Sequence, residues 1–199
     1  MGSIRIGLTG GLCCGKSKAL EIFALHGFEA VDLARYLHEA LQGSDRIKSG
    51  LRRRFGDDCV DAGSGQVLSD KLSRLLSQDV SAQSYLENLI YPEVELLWTR
   101  DLSIPSVVEI PLLFEQHLEK NFHYSLCIYS SYAQQLRRAE EFRGWSQIEF
   151  NAKMQQQMPL LEKIFRSDFA IGNNGTLLQL ERQIQQLLRF LRANPQRRG

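Results

Sequence analysis

Several large protein classes are excluded by what the chain lacks. No stretch approaches the roughly 18 consecutive apolar residues that a membrane span needs. Charge of one sign is not in excess: 24 Lys and Arg face 23 Asp and Glu, a formal +1, so there is no overall basic footprint for nucleic acid. Cysteine is sparse. Cys13, Cys14, Cys59 and Cys127 have neither metal-ligand spacing nor the density of a disulfide framework, which points to a reducing cytosol. The first residues lead directly into a strand pattern, with no signal-peptide signature. No internal repeat is visible. These absences predict a cytoplasmic globular protein without a membrane or nucleic-acid partner. With 199 residues and 43% hydrophobic content, it can build one core with small appended units.

What is present is concentrated near the start, in residues 4–18, IRIGLTGGLCCGKSK. Gly10, four free positions, Gly15, Lys16 and Ser17 match the phosphate-loop pattern G-x-x-x-x-G-K-[ST]. Ile4, Ile6 and Leu8 alternate with Arg5 and Gly7 as in a strand, and Ser17–Ala24 follows as a helix with Leu20, Ile22 and Phe23 as its large apolar residues. Glycines let successive N–H groups curl toward phosphate oxygens, and the positive end of the helix adds to that field. Gly10, Gly11, Leu12, Cys13, Cys14, Gly15, Lys16, Ser17 and Lys18 are therefore the candidate nucleotide-binding stretch. Lys16 would reach the terminal phosphates, and the Ser17 hydroxyl would ligate Mg²⁺. The competing reading is a glycine-rich turn with a solvated lysine. Lys18 stands where Thr is frequent. Cys13 and Cys14 are either tolerated small fillers or thiols whose pKa is lowered by the loop's N–H groups.

Downstream, residues 28–32 (FEAVD) read as a second strand ending in Asp32. In an open parallel sheet that position faces the ligand crevice, although Asp32 could equally cap the helical run Leu33–Leu41. Residues 34–98 are helical by periodicity, with an arginine cluster at Arg52, Arg53 and Arg54 that is either a solvated face or an anion contact. Residues 107–110 (VVEI) form a third strand whose Glu109 can hold Mg²⁺ or serve as a structural ion-pair partner. Residues 124–129 are a fourth strand, followed by Arg137, Arg138 and Arg143. Ser146 opens a helix predicted over Gln147–Gln157. A fifth strand, 169–171, precedes the turn Gly172–Gly175 and a long amphipathic helix, 176–191. Alternating strands and helices predict an α/β fold: a phosphate-loop NTPase-type parallel sheet flanked by helices, with a helical insertion and a small helical lid. The guanine motif N-K-x-D of regulatory GTPases is absent.

Taken together, GLTGGLCCGKS, FEAVDLARYLHEAL, EIPLLFE, QQLRRAEEFRGWS and QQMPLLEKIFRSDFAIGNNG resemble the dephospho-coenzyme A kinase family in order and spacing over nearly the whole chain. The resemblance implies ATP-dependent, Mg²⁺-assisted phosphorylation of the ribose 3′-hydroxyl of dephospho-CoA by a monomer or small homo-oligomer. It implies a nucleotide core (residues 1–33, 100–133 and 164–199), a helical substrate domain (34–99) and a lid (134–163). By that resemblance Asp32 accepts the hydroxyl proton, Lys16 and Arg138 contact phosphates, Asn173 lies near adenine, Ser17 and Glu109 serve the metal, and Lys163 matches the lysine after Gln-Met-Pro. Four positions depart from the family pattern: Ala34 and Tyr91 replace an acid and a histidine, Glu109 replaces Asp, and Phe142 stands where a second lid arginine is expected, with Arg143 next to it. Another small-molecule kinase of this fold, or a weakened nucleotide-binding relative, is the alternative.

Overall fold

Five strands form one sheet: β1 (Arg5–Gly10), β2 (Glu29–Asp32), β3 (Ser106–Glu109), β4 (Tyr124–Tyr129) and β5 (Phe169–Gly172). In this computed structural model, which describes residues 4–99 and 103–194, their order is β2-β3-β1-β4-β5 and every neighbouring pair is parallel. Strands covered on both faces need continuous apolar runs. Accordingly β3 is buried throughout, and β1 and β4 are buried at all but one residue each. The expected parallel α/β architecture is the one observed. In chain order the helices are α1 (Lys16–Leu25), α2 (Leu33–Gly43), α3 (Asp45–Phe55), α4 (Ser69–Gln78), α5 (Val80–Thr99), α6 (Tyr132–Arg143), α7 (Gln147–Met154), α8 (Leu160–Arg166) and α9 (Leu177–Ala193).

The chain divides into two compact units: Met1–Asp32 with Asp101–Gly199, and Leu33–Arg100. The first unit contains the sheet with α1 and α6–α9. Its core joins Ile6, Leu8, Phe23, Leu126 and Ile128 to the apolar face of α9, where Leu180, Ile184, Leu187, Leu188 and Leu191 recur at helical spacing. A Thr176–Gln179 capping box starts α9 and a Ser146–Glu149 capping box starts α7, each tying up helix N–H groups that would otherwise lack partners. The periodic pattern carries α7 to Gln157, but the helix ends at Met154. Residues 155–157 continue only as a turn on the carbonyls of Asn151, Lys153 and Met154, before Met158 N–H donates to Glu115 Oε1 at 2.9 Å.

The second unit packs α2–α5 around its own core of Ile47, Leu51, Cys59, Val60, Val67 and Leu72. A single antiparallel bridge, Val60 to Val67, interrupts what the pattern reads as helices alone. It closes over a turn in which the Asp61 carboxylate accepts from the backbone and hydroxyl of Ser64. Two of the three clustered arginines are engaged locally: Arg54 with Asp79, Ser81 and the face of Phe55, and Arg52 with Asp57. The polar tail, NPQRRG from Asn194, lies outside the described residues beyond Asn194 itself.

Candidate active site

The phosphate loop joins central strand β1 to α1, at the point where the sheet order turns outward to β3 on one side and β4 on the other. Ligand crevices of open parallel sheets form at such a point. Backbone sterics decide two glycines here. Gly15 has φ 91°, and a Cβ on it would run into Asn173 Nδ2. Gly10 has φ 147°, and a Cβ there would strike the Ile128 carbonyl on β4. Lys16 is nearly buried, and its Nζ donates to the carbonyls of Gly11 (2.9 Å) and Gly10 (3.5 Å). A loosely solvated lysine on an ordinary turn does not fit this placement.

Register brings the acids to the loop. Glu109 on β3 lies opposite Leu8 of β1 on one side and Asp32 of β2 on the other. Ser17 Oγ donates to Glu109 Oε2 at 3.3 Å. Burial, then the charge of Asp32, pushes the Glu109 carboxyl above its usual range against the pull of Lys16, Ser17 and Arg143. Among the described residues no three His, Cys, Asp or Glu side chains cluster as a metal cage. A magnesium ion coordinated largely by phosphate and water oxygens needs only one or two protein ligands, and the Ser17 hydroxyl beside the Glu109 carboxylate fits that donor set. Asp32 ends β2 and immediately precedes α2, so it holds the strand-end position and the helix-start position at once.

Arg138 and Asn173 tie the loop to the far side of the sheet. The Arg138 guanidinium donates to Cys13 O (3.3 Å), Ser130 Oγ (3.1 Å) and Asn173 O (2.9 Å). Asn173 Nδ2 donates to Cys14 O at 2.8 Å. Around these groups lies a cavity of about 600 Å³. One wall is loop residues Leu12, Cys13 and Gly15–Lys18; a second is Glu109, Pro111 and Gln157; a third is Arg138, Phe142, Arg143 and Trp145; the fourth is Asn173, Gly175, Leu177 and Leu180. Asp32 does not line it and enters through its pairing with Glu109. Lys18 lines the cavity with its ammonium on Glu21 at 2.8 Å.

Burial bears on the two cysteines and on Lys163. Cys14 is fully buried in the core and Cys13 partly so, and burial raises both thiol pKa values even though Lys16 pulls each down. Desolvation outweighs the loop's positive field, which favours the filler reading of both cysteines over the lowered-pKa one. Cys13 also sits at φ 53°, a left-handed conformation that favours glycine. Lys163 is fully buried away from the cavity, on Glu115. Sequence patterns did not single out Trp145, Gln157, Pro111 or Leu177 as cavity residues. Arg143 was visible both among the arginines that follow β4 and as the neighbour of Phe142.

Comparison with known proteins places this geometry. The family model for dephospho-CoA kinase matches residues 4–179. A dephospho-CoA kinase of Thermus thermophilus is 32% identical over 189 residues, 93% of this chain and 90% of its own. One of Aquifex aeolicus is 28% identical over 96% of this chain and 99% of its own. A Thermus thermophilus crystal structure superposes with a TM-score of 0.79 at 29% identity, covering 96% of this chain and 99% of that one. A family model matching residues 4–179 and relatives aligned over nearly their full length leave one conclusion: the chain belongs to the dephospho-CoA kinase family.

Proposed function

We propose that the protein transfers the γ-phosphoryl group of ATP to the ribose 3′-hydroxyl of dephospho-CoA, giving coenzyme A and ADP. The observation that carries this reading is the alignment of three strand ends, with Ser17 after β1 bonded to Glu109 on β3 and Glu109 in register with Asp32 on β2. Phosphoryl transfer asks a protein for position and charge neutralisation more than for covalent chemistry. Lys16, held against the loop by its own carbonyls, is poised to exchange them for phosphate oxygens. Ser17 and Glu109 would hold a magnesium ion, which when bound neutralises charge on the phosphates. Asp32 is the group that would accept the hydroxyl proton. Arg138 shapes the loop, while Asn173 and Leu177 border the space that suits the base. The helical unit, residues 34–99, would bind the acceptor, and α6 and α7 would act as the lid.

No helix among the described residues is long and apolar enough to cross a membrane. We further propose that the reaction takes place in the cytoplasm, in a monomer or small homo-oligomer. Membership in the family disfavours a different small-molecule kinase. The deciding experiment is product analysis with ATP, Mg²⁺ and dephospho-CoA. Equimolar ADP and coenzyme A are expected, whereas ADP without coenzyme A, or no turnover, would overturn the reading.

A further inference from the structure

Lys163 is a charged side chain in an apolar place. It has 0% exposure, sits in α8 and does not line the cavity. Burying an ammonium is costly unless it is paired and fully hydrogen-bonded. Here it is: Nζ donates to Pro111 O at 2.6 Å, pairs with Glu115 Oε1 at 2.8 Å and reaches Gln157 Oε1 at 3.5 Å. The same Glu115 oxygen accepts the Met158 N–H, and the same Pro111 carbonyl accepts the Thr9 hydroxyl at 3.2 Å. One nitrogen thus joins three segments. These are the exit of β3 two residues past Glu109, the loop ending at Glu115, and the chain returning from α7. Pro111 and Gln157 are both cavity wall. If packing were the only demand, an apolar residue of similar volume would meet it as well or better. What the ammonium adds is direction toward specific acceptors.

We propose that Lys163 is a positioning residue for phosphoryl transfer. Through Pro111 O it fixes the strand exit that carries Glu109. Through Glu115 and Gln157 it fixes the segment returning from α7, so that the two chain segments forming the Glu109, Pro111 and Gln157 wall hold a common register. This rests on the kinase reading above. A shift of about 1 Å in a reacting constellation can cost on the order of 10²-fold in rate, so a residue outside the cavity can govern turnover.

The test separates positioning from stability. Lys163→Met alone strands the Glu115 carboxylate and should unfold more easily. The double variant Lys163→Met with Glu115→Gln is neutral, keeps an acceptor for Met158 N–H and should regain most of the lost stability. Its kcat, measured well below its unfolding midpoint, should stay about 10²-fold low, with the KM for ATP little changed. Thr9→Val, which removes only the other donor to Pro111 O, should lower kcat in the same direction. Wild-type kcat in the double variant, or a loss confined to KM, would overturn the proposal. Failure of the kinase reading shows instead as an inactive wild type.

Discussion

At Glu109 burial and charge conflict. Its carboxyl pKa is raised by burial and then by Asp32. A carboxyl raised above its unfolded value favours the folded state at pH below that unfolded value. The contribution is lost as pH climbs through the raised folded value, because the ion must then be kept out of water. Glu109→Gln stays neutral across that window. The variant should therefore gain stability relative to wild type as pH rises from 4 to 7, read from urea midpoints at each pH. Its Mg²⁺-dependent turnover should fall at the same time. A stability difference that is flat with pH would show that Glu109 is not the titrating group. The expected outcome sets function and stability in opposite directions at this position, as is usual where a charge is kept buried for chemistry. The type and place of this acid were legible at the end of an apolar run. Its link to Asp32 was not, because register between β2 and β3 pairs residues separated by the whole helical unit.

At the scale of elements, α6 carries two arginines with different work. Arg138, mid-helix, spends its guanidinium on Cys13 O, Ser130 Oγ and Asn173 O. Arg143, in the last turn, lines the cavity, and its charge acts on both Cys13 and Glu109. Gly144 closes the helix in a left-handed conformation, φ 65°, and swings the chain toward Trp145, whose ring carries Lys153 on its face. Arg143→Ala should lower kcat by about 10²-fold with little change in ATP affinity, as expected for a donor felt mainly in the transition state. Arg138→Ala should instead weaken ATP binding, since it removes the guanidinium bonds to Cys13 O, Ser130 Oγ and Asn173 O, leaving Asn173 O only the Ser130 hydroxyl, and loosens loop and turn together. Isothermal titration beside steady-state kinetics distinguishes them, and matching effects from both variants would remove the division. Sequence identified the arginines that follow β4 and the Ser146 start of α7. It could not say which arginine is spent on backbone carbonyls, because those carbonyls belong to strands and turns remote in the chain.

For the whole molecule, sequence pattern reached the sheet class, all five strands within about two residues at each end, and the helical insertion. It reached neither strand order nor the cavity wall built by Trp145, Gln157 and Leu177, since both depend on how crossovers bring distant segments together. Lys163 was visible as part of a motif but not as a buried ammonium, because its three partners lie on separate segments. Each of the two compact units has its own core, and every loop, arginine and asparagine contact that shapes the nucleotide cavity lies in the unit containing the sheet. Damage confined to the helical unit should therefore be read selectively. Leu51 is fully buried among Ile47, Val60 and Leu72. Leu51→Ala leaves a cavity worth about 2–5 kcal/mol of destabilisation. If the helical unit binds the acceptor, turnover of dephospho-CoA should fall while ATP titrates with near wild-type affinity, because the phosphate loop, Arg138 and Asn173 keep their contacts. Parallel loss of ATP binding would mean that the two cores do not melt independently, and the assignment of acceptor binding to the helical unit would lose its support.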